Sequence, residues 1–220
     1  MFDVFDNYEH PGPDGYFQRQ PDGSMRHLTD VTSDKALDFL DLCPSNRPWC
    51  LSVSFNAPHA QDDDPRLYIW PPSADGLYEN AIVPEPVNAD PEFFEALPDF
   101  LKQAEGRRRW RCKFSTPELY QRSMKGNYRM ITGVDTASSI ILEKIEELGM
   151  RENTVVIFSS DHGMFFGDRG LADCWLMHEE CLRVPLIVCD PRPESARPGI
   201  LREEMVLNVD IAPTILELAG

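Results

Sequence analysis

The stretch Thr154-Val155-Val156-Ile157-Phe158-Ser159-Ser160-Asp161-His162-Gly163 decides the fold class. From Thr154 to Phe158 every side chain is β-branched or aromatic, and such an unbroken run is what a strand buried on both faces of a parallel sheet presents. The run stops abruptly at Asp161-His162-Gly163. In open parallel sheets ligands sit beyond the carboxyl ends of the strands, so this break marks the edge where chemistry would be done.

On the amino-terminal side, Ser115-Thr116-Pro117-Glu118 combines a cap, a first-turn proline and a possible capping box. Tyr120, Met124, Ile131, Val134, Ser138, Ile141, Ile145 and Leu148 then recur mostly three or four apart, and Gly149 offers a C-cap. This predicts one long helix, with Gly126 and Gly133 as places where it could bend. Further upstream, residues 60–111 are crowded with Pro and Asp and read as a long surface loop or insertion, helical only near Phe93 to Gln103. Before it, Leu51, Val53 and Phe55 alternate in Pro48 to Phe55, a strand ending in Asn56-Ala57-Pro58-His59. A short helix capped by Thr32 or Ser33 carries Ala36, Leu37 and Leu40 on one face. Residues 1–31 are irregular, without a sustained period. On the carboxyl side, a strand from Val184 to Cys189 and a helix from Val209 to Leu218 complete the pattern. The order predicts a single α/β domain, mainly a parallel sheet with flanking helices.

The composition agrees with a globular domain. In 220 residues, 42% are apolar and 10% aromatic, enough for a sizeable core. The net charge of −16 argues against nucleic acid as a partner, since phosphate recognition needs a basic surface. No apolar run is long enough to span a membrane, and the acidic start MFDVFDNYEH lacks signal-peptide features. Cys43, Cys50, Cys112, Cys174, Cys181 and Cys189 are spaced by seven residues or more. They read as reduced, small core residues, with Cys50 and Cys189 in buried strands.

Three groups are candidates for function. Asp161 offers hard oxygen donors and His162 a neutral imidazole, while Gly163 would let the backbone turn so that both point at one cation. The alternative is an Asp and a His that cap nearby amides. His59 could present its ring at the same edge, or be structural. Asp62-Asp63-Asp64 reads as a solvated loop, because adjacent acids point apart. Arg107-Arg108-Arg109, with Trp110 and Arg111, reads as a solvated helix end, with contact to a ligand as the alternative.

Taken together, Ala57-Pro58-His59, the strand into Asp161-His162-Gly163, the loop Gly167-Asp168-Arg169-Gly170-Leu171-Ala172-Asp173-Cys174, Arg183-Val184-Pro185-Leu186 and Asp210-Ile211-Ala212-Pro213-Thr214 resemble the sulfatase family of the alkaline-phosphatase superfamily, from about Thr32 to Gly220. The resemblance implies an alkaline-phosphatase-like fold and sulfuric ester hydrolysis. It implies that Asp161 and His162 are two ligands of a divalent cation, usually calcium, and that His59 assists departure of the alcohol. A family lysine that binds sulfate falls at Cys174, which removes a positive charge from that place. The family nucleophile, a formylglycine made in a C-x-P-x-R motif, has no counterpart. In Cys43-Pro44-Ser45-Asn46-Arg47 the proline follows the cysteine directly.

The resemblance therefore implies the middle and later part of a sulfatase catalytic domain, truncated at both ends. Such a segment would carry half a metal site and a leaving-group histidine, and would be inactive alone. The implied partner is a sulfate ester, with a sulfated carbohydrate as one candidate. Many family members are periplasmic, secreted or lysosomal, although the sequence shows no such address for this chain. Two alternatives stand: a phosphomonoester or phosphodiester hydrolase of the same superfamily, and a non-catalytic metal- or anion-binding remnant.

Overall fold

The computed structural model describes residues 6, 15–43, 47–192 and 199–220. Its elements in chain order are β1 (Phe17–Arg19), β2 (Met25–His27), α1 (Leu28–Leu42), α2 (Pro91–Glu95), α3 (Asp99–Lys102), α4 (Glu105–Lys113), α5 (Pro117–Glu147), β3 (Val156–Ser159), β4 (Phe165–Phe166), β5 (Ala172–Asp173), α6 (Glu179–Leu182), β6 (Leu186–Cys189) and α7 (Ile211–Ala219).

α5 is the axis of the molecule. Thr116 caps it by accepting from the Leu119 amide at 3.2 Å, and Gly149, with φ +68°, ends it in the left-handed conformation that its sequence position predicts. Gly126 and Gly133 serve close approach, not bending. A Cβ at Gly133 would lie 2.6 Å from the Pro71 ring, and one at Gly126 2.8 Å from the Tyr68 Cβ. The segment 68–71 thus lies directly on the α5 backbone.

α1 begins earlier than its sequence suggests. The His27 ring caps it, accepting from the Thr29 amide at 3.2 Å, while Nε2 donates to the Ile69 carbonyl at 3.0 Å. Burial pushes the pKa of His27 down, which favours this neutral form. Thr32 instead donates back to the Leu28 carbonyl, and Ser33 reaches the Ala137 carbonyl on α5. Ala36 and Leu40 of α1 pack on Ile141 and Ile145 of α5, and Trp49, Leu51, Val53 and Phe55 join them. The alternation of 51–55 is therefore real, although the segment is extended without ladder pairing among the described residues.

Three sequence expectations need correction. First, β3 and β6 pair antiparallel, Val156 opposite Cys189 and Ser159 opposite Leu186, not parallel. An apolar run reports burial, not strand direction, and here the β4–β5 hairpin and α6 bring the chain back alongside the strand it left. All three described sheets are two-stranded and antiparallel. β3 is only half-buried, and Phe158 is 42% exposed. Second, residues 60–111 contain α2, α3 and most of α4. α4 carries Arg107 to Arg111 within a helix, with Arg107 stacked between the rings of Phe94 and Trp110 at 3.8 Å from each. Asp62 and Asp63 lie exposed on a turn, as read from the sequence, but Asp62 also pairs with Arg109 and Lys113. Third, of the six free cysteines only Cys181 is buried, whereas Cys50 is exposed and Cys189 is half-buried. Pro44 to Asn46, inside the Cys43 to Arg47 string, lie outside the described residues.

Candidate functional site

The carboxyl end of β3 leads directly into Asp161 and His162, and hydrogen bonds of this turn aim both side chains. Asp161 Oδ1 accepts from the His162 amide at 2.9 Å and from Ser160 Oγ at 3.3 Å. His162 Nδ1 lies 2.9 Å from the Gly163 carbonyl, which can only accept, so Nδ1 donates there and Nε2 is the ring nitrogen available to ligate a cation. That Nε2 lies 3.6 Å from Asp161 Oδ2. Two bonds of about 2–2.6 Å each to one cation easily span that gap. A ligating histidine usually gives its other N–H to a carbonyl or carboxylate, as His162 does here. One carboxylate oxygen and one imidazole nitrogen thus fit a divalent cation, without selecting calcium over softer ions. Among the described residues no third His, Cys, Asp or Glu joins them.

Gly163 is needed for a different reason than a sharp turn. Its amide donates to the Cys181 carbonyl at 2.8 Å. A Cβ there would sit 2.8 Å from the Arg183 carbonyl and closer still to that of Glu180. α6 therefore rests on the bare backbone beneath the Asp161–His162 pair.

Asn208, which sequence reasoning missed, completes the turn from the other side. Its side-chain amide donates to the carbonyls of Ser160 and Asp161, at 3.2 and 2.9 Å. Asp210 shapes the turn that presents it, accepting from the Leu207 amide at 2.8 Å. The signal was present in the Asp210-Ile211-Ala212-Pro213-Thr214 motif, but its spacing does not show which carbonyls the neighbouring Asn208 reaches.

His59 lies on an exposed turn after the extended 49–55 segment. Its amide donates to the Asn56 carbonyl and its carbonyl accepts from Tyr16 Oη at 2.5 Å, so the fold grips the backbone of His59. Cys174 is half-buried at the end of β5. Burial first, and then the negative charge of Asp173, pushes its thiol up, and Asp161 adds to that push. No hydrogen bond among the described residues joins His59 or Cys174 to the Asp161–His162 pair.

Lys113 was also missed. Its side chain is 2% exposed, and Nζ donates to Asp173 at 2.8 and 3.1 Å while pairing with Asp62 at 3.2 Å. Arg109 holds the other side of Asp62. Burial pushes the Asp62 carboxyl up, but the hydrogen bond from Arg109 and the charge of Lys113 outweigh it, and its pKa is lowered. The Tyr68 hydroxyl, buried and without a hydrogen-bond partner among the described residues, is pushed up by burial and then by Asp173 and Asp62. This charged knot lies one residue from Cys174.

Comparison with known proteins follows the same lines. An N-acetylglucosamine-6-O-sulfatase of Bacteroides thetaiotaomicron is 26% identical over 88% of this chain and 43% of its own length. A choline-sulfatase of Rhizobium meliloti is 32% identical over 80% of this chain and 32% of its own. Among solved structures, a protein in complex with its substrate D-glucosamine-2-N,6-O-disulfate superposes with TM-score 0.72 at 24% identity, covering 95% of this chain and 53% of the other. A phosphonate monoester hydrolase from Silicibacter pomeroyi superposes with TM-score 0.73 at 21% identity, covering 99% and 44%. These likenesses show an alkaline-phosphatase-like α/β fold, of which the chain forms a part. The chain spans less than half the length of the curated relatives it matches. The family model for sulfatases matches residues 2–220, and the chain belongs to the sulfatase family.

Proposed function

We propose that this chain supplies half the metal site and the leaving-group histidine of a sulfuric ester hydrolase. The observation that carries the reading is the approach of Asp161 Oδ2 to His162 Nε2, 3.6 Å apart at the end of β3. A divalent cation bound there would polarise the sulfuryl oxygens. Asp161 and His162 would hold it, Asn208 and the Gly163 carbonyl would keep their donors in place, and calcium is the ion the family resemblance implies. His59 would donate a proton to the departing alcohol oxygen, a role that fits its exposed turn.

A sulfated sugar is the substrate class that fits best, because relatives named as N-acetylglucosamine-6-sulfatases cover about 90% of the chain. The likeness to a phosphonate monoester hydrolase supports a second reading, hydrolysis of a phosphorus ester on the same frame.

The chain alone should hydrolyse 4-nitrophenyl sulfate no faster than buffer, since it carries no formylglycine motif. Turnover that survives purification and vanishes in His162→Ala would overturn that expectation. Joined to a segment that supplies a matured C-x-P-x-R nucleophile, it should turn over sulfate esters faster than phenyl phosphonates. His59→Ala should then slow it by about 10²–10⁴. Unchanged rates in both His59→Ala and Asp161→Asn would sink the assignment. Independently of activity, calorimetric titration should show a divalent-cation site that Asp161→Asn abolishes.

A further inference from the structure

Cys174 and Cys181 bracket a loop whose interior is occupied by the Cys181 sulfur. The Cys181 thiol, 5% exposed as a residue, donates to the Asp173 carbonyl at 3.5 Å. Asp173 precedes Cys174, and Cys174 and Leu176 both pack against the cluster that contains Cys181. With standard peptide geometry, a carbonyl oxygen 3.5 Å away puts that sulfur within roughly 6 Å of the Cys174 Cα. In a formed disulfide each sulfur lies about 4 Å from the opposite Cα, so the loop would close by up to about 2 Å. Cys174 packs against the buried cluster of Phe165, Leu171 and Cys181, while Trp175 and Met177 between the two cysteines are exposed. His178 stands between the two cysteines, but the three do not form a metal-binding group.

We propose that Cys174 and Cys181 are a dithiol pair that closes reversibly to a disulfide across this loop. The exchange partner is a small disulfide of the oxidised-glutathione class. The half-buried Cys174 is the accessible member. Its thiolate attacks one sulfur of the small disulfide, forms a mixed disulfide and releases one small thiolate. The Cys181 thiolate then attacks the Cys174 sulfur, forming the protein disulfide and releasing the second small thiol. Two protein S–H bonds are lost, one S–S bond is gained, and the oxidant is reduced to two thiols. Burial pushes both thiols up, so closure is faster in alkaline buffer.

The consequence falls on the candidate site. α6, which carries Cys181, rests on the backbone of Gly163. In the reduced state position 174 presents a neutral thiol. In the oxidised state that sulfur is tied back to α6, stapling the 174 loop to the element beneath Asp161 and His162. The proposal stands on loop geometry alone and does not depend on the sulfatase role of either residue.

The test uses the folded chain, treated without denaturant with oxidised glutathione, then alkylated and digested with trypsin. Gly170 to Arg183 contains no internal Lys or Arg, so both cysteines fall in one peptide. The expected result is that peptide lighter by two hydrogens and unalkylated, returning to the doubly alkylated form after dithiothreitol, while the exposed Cys112 takes up glutathione. In Cys174→Ser the lighter form should be absent. The proposal is overturned if glutathione rests on Cys174 while Cys181 stays alkylatable. It is equally overturned if either cysteine pairs elsewhere, or if the peptide is unchanged while Cys112 is modified.

Discussion

Burial of Lys113 costs desolvation that the carboxylates of Asp173 and Asp62 offset. Removing the ammonium would leave two partly buried carboxylates facing each other, so Lys113→Met should destabilise the fold by about 3–5 kcal/mol in urea unfolding. Lys113→Arg should cost clearly less, and equal losses would show that packing, not charge, holds the knot. Asp62 adds a pH dependence. Its carboxyl is held below the ordinary carboxylate value, so the folded state binds fewer protons than the unfolded state. The stabilisation is therefore fully present above that ordinary value, near pH 4, and is lost as pH falls through the lowered one. Asp62→Asn should flatten the acid limb of a stability profile. The Asp161–His162 pair was legible in the sequence because adjacent residues after a strand share one turn. Lys113 with Asp173, and Asn208 with Asp161, were not, since those partners stand 60 and 47 residues apart and only the fold joins them.

Among the elements, α5 shows where glycine acts against its own helix propensity. Alanine normally stabilises a helix interior by about 1 kcal/mol over glycine. At Gly133 the added methyl would stand 2.6 Å from the Pro71 ring, and overpacking of that kind costs about 1–3 kcal/mol. Gly133→Ala should therefore lower the urea midpoint. Moving Pro71 away by the double change Gly133→Ala and Pro71→Ala should recover most of the loss. A single variant as stable as the parent would mean that segment 68–71 is loosely held. The start, length and end of α5 were readable because caps and a period of 3.6 are local signals. The direction of β3 and β6 was not, because pairing depends on the path between them. α4 was hidden for a related reason: beside Trp110, part of its packing comes from Arg107 stacking on Phe94 and Trp110, a pattern that hydropathy does not register.

For the whole molecule, two opposing surface properties set its behaviour in solution. The net charge of −16 keeps copies apart. Against this, the β3–β6 pair and α7 expose large apolar side chains, Ile187 at 60% and Leu216 at 72% among them, and α7 has no buried residue. Asn208 ties the start of α7 to the end of β3, so these exposed side chains border the candidate site. Apolar surface on this scale marks a contact face, and hydrophobic attraction between copies is not weakened by salt. Charge repulsion is weakened, because the screening length falls from about 10 Å at 0.1 M salt to about 3 Å at 1 M. The chain should therefore be largely monomeric in dilute buffer and self-associate as sodium chloride is raised, as read by sedimentation velocity. Ile187→Lys combined with Leu216→Lys should reduce that association even though it lowers the net negative charge, whereas two lysines placed at exposed polar positions of α5 should increase it. A chain that stays monomeric at high salt, or associates equally in both double variants, would show that this apolar surface does not drive contact.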